Sequence, residues 1–364
     1  MVRPRDGHAV WLGIGCALLT ACDSSQAPAA PVVTLAAAPD TLRAPFPDAA
    51  GAVRLDDGRW AIVSEGTGRI VLADFANHRV VPLGGERTKE LANPFAVFTP
   101  RGDTLWVSDW GLRRVTAWVG GRVSAVVPAT DELRGALPRG RDDAGRFYAA
   151  ITPAAGRSRD GTADSGVVVR ASSDLKRADT VARLAPLDLA EVQAEGGRRF
   201  ERRVFSGQDA WGVIPDGTVW VARVYQNRVD FRSQDGTIVR GQPLPDRVLE
   251  VTQADRELFV RTFPPELKRT AEMLPFAPIK PPFETGFTSA DGLVWLQKTK
   301  AAFDSTGRYH VLNRRGQLIR EIRISTTSRI LAAGADRALA VEADSVGLRL
   351  LQYVVPSDIE QGSQ

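Results

Sequence analysis

The chain holds only two cysteines in 364 residues, Cys16 and Cys22, and none beyond position 22. Its long remainder therefore has no disulfide framework and no thiolate cage for a metal. Histidine is nearly as scarce, at His8, His78 and His310. A catalytic zinc takes three protein ligands, mostly histidine, and no H-E-x-x-H array is present, which argues against a zinc hydrolase. No G-x-S-x-G elbow occurs. Gly84-Gly85 runs into Glu86-Arg87-Thr88-Lys89 without the spacing of a phosphate-cradling loop. The apolar run from Val10 to Leu19 falls short of the ~20 residues that cross a bilayer. Lysine occurs six times, so arginine supplies most of the 47 basic residues, against 43 acidic ones. No basic stripe alternates with aromatics as single-strand binding requires, so no nucleic-acid partner is expected. Stability must come from the apolar core, and a chain of this length buries roughly three quarters of its unfolded surface.

Arg3 and Arg5 precede the short apolar run, and Leu19-Thr20-Ala21-Cys22 closes it. A charged start, a short apolar middle and small residues before a cut describe a signal peptide. The closing residues resemble the lipobox of bacterial lipoproteins. That resemblance implies removal of residues 1–21 and a lipid on Cys22. The mature chain would then be extracytoplasmic, in the periplasm or cell envelope, with the membrane as its first partner. A single acyl chain anchors only marginally. Lipoproteins carry several, which implies a durable anchor. Residues 22–45, rich in Ala, Pro, Ser, Asp and Thr, read as a flexible tether. Within it Val32-Val33-Thr34-Leu35 reads as a short strand.

After the tether the chain repeats. A Gly-bearing turn, often Asp-Gly, leads into an apolar-aromatic strand at Asp57-Gly58, Gly102, Gly145, Asp216-Gly217 and Asp291-Gly292, with a degraded copy at Asp336. The intervals are 44, 43, 72, 75 and 44 residues, so the two long ones read as one period plus an insertion. Short Val-, Thr- and aromatic-rich runs follow each copy, and Asp-Gly between apolar runs is a strong hairpin signal. A period in the forties predicts a radial array of four-stranded blades. The fold class is therefore all-β, a six-bladed β-propeller over residues 46–355, with insertions between blades 3–4 and 4–5 and a tail at 356–364. Trp106, Tyr148, Trp220 and Trp295 recur at one place in their units and are expected to pack between blades. Closure is expected from Val32 to Leu35, or from the strand near Ala52-Val53, pairing with Leu348 to Val354.

Segments such as Gly68 to Asp74, Arg203 to Gly217 and Thr218 to Asp230 resemble bacterial six-bladed propeller proteins related to the NHL-repeat group. Many members of that group are secreted lipoproteins. The resemblance implies the fold far more than any one activity, since related propellers include binding modules, lactonases and lyases.

The first insertion carries Arg198, Arg199, Arg202 and Arg203, which read as a solvated face rather than an anion clamp. The second, about residues 245–288, holds a short helix near Glu266 to Leu274 among many prolines and reads as a lid or a strap. The loops leading into the innermost strands line one mouth of the ring. They carry Phe46, Phe95, Arg134, Trp211, Phe283, Glu284 and Arg329. Aromatics and arginines are enriched at binding hot spots, and Trp211, Phe95, Arg134, Glu284 and Arg329 are the candidate ligand-binding residues. The function read from the sequence is a non-catalytic binding protein for a protein, peptide or envelope ligand, with no cofactor, no metal and no catalytic residue. The alternative is a calcium-dependent hydrolase or lactonase of the propeller type, whose ion would need Asp, Glu and Asn oxygens. Of the four asparagines only Asn93 precedes an innermost strand.

Overall fold

The computed structural model describes residues 30–35, 39–64, 66–85, 88–100, 102–152, 165–194, 197–301 and 303–356. The signal segment and Cys22 lie outside the described residues. No helix among them is long and apolar enough to cross a membrane.

Asp-Gly turns start the construction. At Asp216-Gly217 the Gly217 N–H donates to the Ile214 carbonyl at 2.8 Å, and the Asp216 carboxylate accepts from Thr218 N–H at 2.9 Å. Gly217 sits at φ +83°, in the left-handed region where a Cβ is unfavourable. The same turn recurs at Gly58, Gly145 and Gly292, each N–H donating to the carbonyl three residues back, and it folds the chain into antiparallel hairpins.

Six blades result, each built on four antiparallel strands, five of them in meander order and the sixth with its outermost strand drawn from the N-terminal side. Blade 1 begins with Gly51–Arg54, blade 2 with Pro94–Phe98 and blade 3 with Gly140–Arg141. Blades 4, 5 and 6 begin with Ala210–Val213, Phe283–Thr288 and Ser328–Ala333. These first strands surround the axis.

Alternation along each strand sends neighbouring side chains to opposite faces. In Trp60–Ser64, Trp60 and Ile62 face blade 6, while Ala61 and Val63 face blade 2. The buried apolar residues fall into six clusters, each lying between two neighbouring blades. Six blades with six interfaces make a closed ring. Trp106, Tyr148, Trp220 and Trp295 are all buried in these interfaces.

Closure uses a different strand from the one expected. Asp40–Ala44 pairs antiparallel with Gly347–Val354 and completes blade 6. Leu42 points inward against Trp60 and Leu350, while Arg43 reaches Asp344 at 3.1 Å on the outer side. Val32–Thr34 instead adds parallel to the outer edge of blade 5, against Leu318–Ser325, and Val32 stays exposed. Ala52 and Val53 belong to the innermost strand of blade 1. The closing strand therefore lies within the stretch read as tether.

Between blades 3 and 4 stands a hairpin, Leu189–Ala194 with Gly197–Arg202. Between blades 4 and 5 the chain forms helix Gln253–Arg261, the single turn Pro265–Leu267 and helix Lys268–Glu272. Thr252 and Asp255 cap the first helix reciprocally. Two ion pairs fasten this insertion, Lys280–Asp255 at 2.7 Å and Lys298–Asp246 at 2.6 Å. The rings of Phe205, Phe259, Phe263 and Phe276 cluster beneath its first helix.

Candidate functional site

The loops that lead into the innermost strands converge on one mouth. Buried carboxylates hold them in place. Asp109, at the end of Leu105–Asp109, accepts from Ala92 N–H at 2.8 Å, Asn93 N–H at 3.0 Å and Leu112 N–H at 2.9 Å. Asp209 does the same before blade 4, accepting from Ala185 N–H and Val224 N–H, each at 2.9 Å. It also holds Arg223 at 2.9 Å. Phe95, Trp211, Glu284 and Arg329 do not lie in these loops as expected but at the starts of the innermost strands that follow them. Arg134 alone of the five stays in a loop, so stitching the loops to neighbouring turns fixes where each strand begins.

The mouth opens into a cavity of about 890 Å³. Four of the candidate residues line it: Phe95, Arg134, Trp211 and Glu284. The fifth, Arg329, lies in the adjoining channel of about 420 Å³, where Phe95 and Trp211 also stand. Arg329 donates to the Ala49 carbonyl at 2.5 Å, which ties blade 6 to the loop entering blade 1. Phe46 is different. It packs in the interface of blades 6 and 1 with Leu42 and Trp60, and it does not reach the cavity.

Arg134 follows the single turn Asp131–Leu133 at φ 49° and ψ 40°, and its N–H donates to the Asp131 carbonyl. Non-glycine residues adopt that conformation uncommonly. The loop accepts this backbone strain and turns there, leaving the Arg134 side chain exposed at the cavity wall. Glu284 accepts from Gln297 Nε2 at 2.8 Å. It stands at the accessible rim, yet desolvation by the surrounding walls raises its carboxyl above the ordinary value. Lys300, Lys280 and Arg329 oppose that rise.

Two mouth residues escaped the sequence reading. Trp110 sits in the turn after Leu105–Asp109, 44 % exposed, with its ring 5.1 Å from that of Phe95. Arg139 lies over the Phe95 ring at 5.3 Å and lines the same cavity. The available signal was positional, since Trp110 directly follows the second strand of its blade.

The arginines of the first insertion mostly pair within their own hairpin. Arg198 meets Glu191 at 3.1 Å, Arg199 meets Glu201 at 2.7 Å and Arg203 meets Asp188 at 3.3 Å. Arg202 alone of the four reaches the cavity, and it donates to Ser206. Asn93 contributes its backbone to the Asp109 knot. Among the described residues no three His, Cys, Asp or Glu side chains converge closely enough to hold a metal ion. The calcium of the alternative reading therefore finds no carboxylate cage among the described residues.

No protein-family model matches the sequence, and no curated protein matches it. Solved structures do. The calcium-binding protein regucalcin from Agrobacterium tumefaciens aligns with a TM-score of 0.46 at 11% identity, covering 89% of this chain and 97% of that one. A virginiamycin B lyase from Staphylococcus aureus aligns at 0.44 and 9% identity, covering 85% and 95%. A luciferin-regenerating enzyme gives 0.44 and 9%, covering 87% and 95%. These are propeller proteins, and likeness at this distance concerns the fold alone.

Proposed function

We propose that this chain is a binding protein of the bacterial envelope. Cys22 tethers it to a membrane, and the mouth cavity receives a protein, peptide or envelope ligand without catalysis. One observation carries the reading. Phe95, Trp211 and Glu284 stand in the innermost strands of blades 2, 4 and 5 and Arg134 in the loop before blade 3, far apart in sequence, yet they line one cavity. Its size lies within the roughly 300–1,000 Å³ typical of ligand sites. The knots around Asp109 and Asp209 favour binding further, since pre-placed side chains lose little freedom when a ligand arrives.

Two experiments test the proposal. Radiolabelled palmitate supplied to growing cells should label the full-length protein, and Cys22→Ser should abolish labelling. Unchanged labelling of that variant would remove the anchor. Affinity capture from envelope extract should recover a partner with the wild-type chain and lose it with Trp211→Ala/Arg134→Ala. Equal recovery by both chains would remove the proposed face.

A hydrolytic reading is favoured by one feature, the raised carboxyl of Glu284 at the cavity rim. It requires Glu284→Gln to abolish turnover of a lactone or ester while leaving binding intact.

A further inference from the structure

The cavity is cationic once its internal pairs are counted. Three arginines line it, Arg134, Arg139 and Arg202, against two carboxylates, Asp209 and Glu284. Asp209 is neutralised by Arg223 and occupied by two backbone N–H groups. Glu284 is bound by Gln297 and has its carboxyl raised. Arg202 donates to Ser206. Arg134 and Arg139 have no carboxylate within salt-bridge distance among the described residues, and both are exposed. Elsewhere on the ring arginines commonly meet a carboxylate, as Arg146 meets Asp142 and Arg170 meets Asp179.

Beside these two guanidiniums lies an aromatic wall. The Phe95 and Trp110 rings are 5.1 Å apart and tilted by 32°, and Trp211 lines the same space. Phe95 itself is buried, with Arg139 over its ring and Trp110 packed against it, so it backs the wall, and Trp110 and Trp211 present the accessible rings. A wall of rings takes a flat apolar body by stacking. A guanidinium fork takes a carboxylate or phosphate bidentately. The volume suits a small molecule.

We infer that the cavity takes a small amphipathic anion, a flat apolar ring system bearing a carboxylate or phosphate, with the rings against Trp110 and Trp211 and the anion held by Arg134 and Arg139. This rests on the reading of the mouth as a binding site.

An isosteric charge series separates the two claims. Naphthalene-2-carboxylate, its neutral amide and 2-naphthylmethylamine present one ring body with charges of −1, 0 and +1. Calorimetric titration into the folded protein should show the carboxylate binding about tenfold more tightly than the amide, a difference of about 1.4 kcal/mol. The amine should bind most weakly. The preference for the carboxylate should shrink with added salt.

Arg134→Met/Arg139→Met should erase the difference while keeping the amide's affinity, and Arg139→Lys should restore part of it. An unchanged melting transition confirms that both variants fold. Equal binding of carboxylate and amide by the wild type, or tightest binding of the amine, would overturn the anionic class while leaving a binding site. Retained discrimination in the double variant would overturn the roles of the two arginines. No binding of any of the three would count against the cavity itself.

Discussion

The rings of Phe95 and Trp110 stand 5.1 Å apart because one buried carboxylate, Asp109, holds both the loop just before the Phe95 strand and the turn that carries Trp110. Trp110 N–H also donates to the Asn93 carbonyl at 2.9 Å, which closes the knot. Asp109→Ala would leave three backbone donors without their acceptor. Each buried unpaired group costs about 1–3 kcal/mol, so a loss of about 3 kcal/mol is expected in denaturant unfolding. A change below half of that would mean that the loops hold themselves.

The second insertion is fastened by a pair buried on both sides. Lys298 and Asp246 have side chains only 1% and 6% exposed, and they meet at 2.6 Å. Asn227 adds a hydrogen bond from its Nδ2 to Asp246 at 3.1 Å. Removing one partner of such a pair strands the other charge and costs about 3–5 kcal/mol, whereas an apolar replacement of both is often near neutral. Lys298→Met should therefore destabilise strongly, and Lys298→Met/Asp246→Leu should recover most of the loss. Additive losses in the double variant would contradict the pairing.

His310 shares that buried site. Its Nδ1 lies 3.8 Å from Asp246 and its Nε2 lies 3.5 Å from Glu321. Burial, reinforced by the Lys298 ammonium and by Arg308, pushes the imidazole down to about 4 against the pull of Asp246 and Glu321. The unfolded chain takes up this proton near pH 6.5, while the folded one refuses it until about pH 4. Stability is then fully present above pH 6.5 and falls as pH drops toward 4. The slope is about 1.4 kcal/mol per pH unit, so about 2 kcal/mol is lost by pH 5. His310→Gln should flatten this part of the profile. An unflattened profile would assign the acid sensitivity to other groups.

The two N-terminal strands have unequal roles. Val32–Thr34 only extends the outer edge of blade 5, whereas Asp40–Ala44 covers Gly347–Val354 and closes the ring. A chain beginning at residue 36 loses Leu35 and Val33 from the cluster between blades 5 and 6, so it should melt at a lower temperature but keep a cooperative transition. A chain beginning at residue 46 should lose it, because Leu348 and Leu350 lose their Leu42 cover and the last blade gains an open edge. Equal melting of the two truncations would disprove closure by Asp40–Ala44.

The blade plan was legible because it is local. Asp-Gly turns and alternating strands repeat from Gly58 to Gly292, and each copy forms the hairpin that its residues demand. The closing strand was not legible. Asp-Thr-Leu-Arg-Ala offers one large apolar side chain and one alanine, and its partner lies some 300 residues away in Gly347–Val354. Val32-Val33 has the stronger strand composition, but it packs Val33 and Leu35 onto the cluster between blades 5 and 6 from the outer edge rather than closing the ring. Helix Gln253–Arg261 was overlooked, although Thr252 and Asp255 at capping-box spacing announce it. At the mouth, the lead-in loops could be read from strand order, which gave Phe95, Arg134, Trp211 and Glu284. Trp110 and Arg139 depend on how turns of adjacent blades meet, and no single repeat contains that geometry. Phe46 was misplaced because a phenylalanine before an innermost strand fills an interface as readily as a cavity.

The most direct test follows the tryptophan indole N–H signals of the ¹⁵N-labelled folded protein while naphthalene-2-carboxylate is added. Trp110 and Trp211 line the mouth, whereas Trp60, Trp118 and Trp220 are fully buried between blades. Saturable shifts confined to Trp110 and Trp211, lost in Arg134→Met/Arg139→Met, are expected. Shifts centred on other tryptophans, or none at all, would contradict a binding site at this mouth.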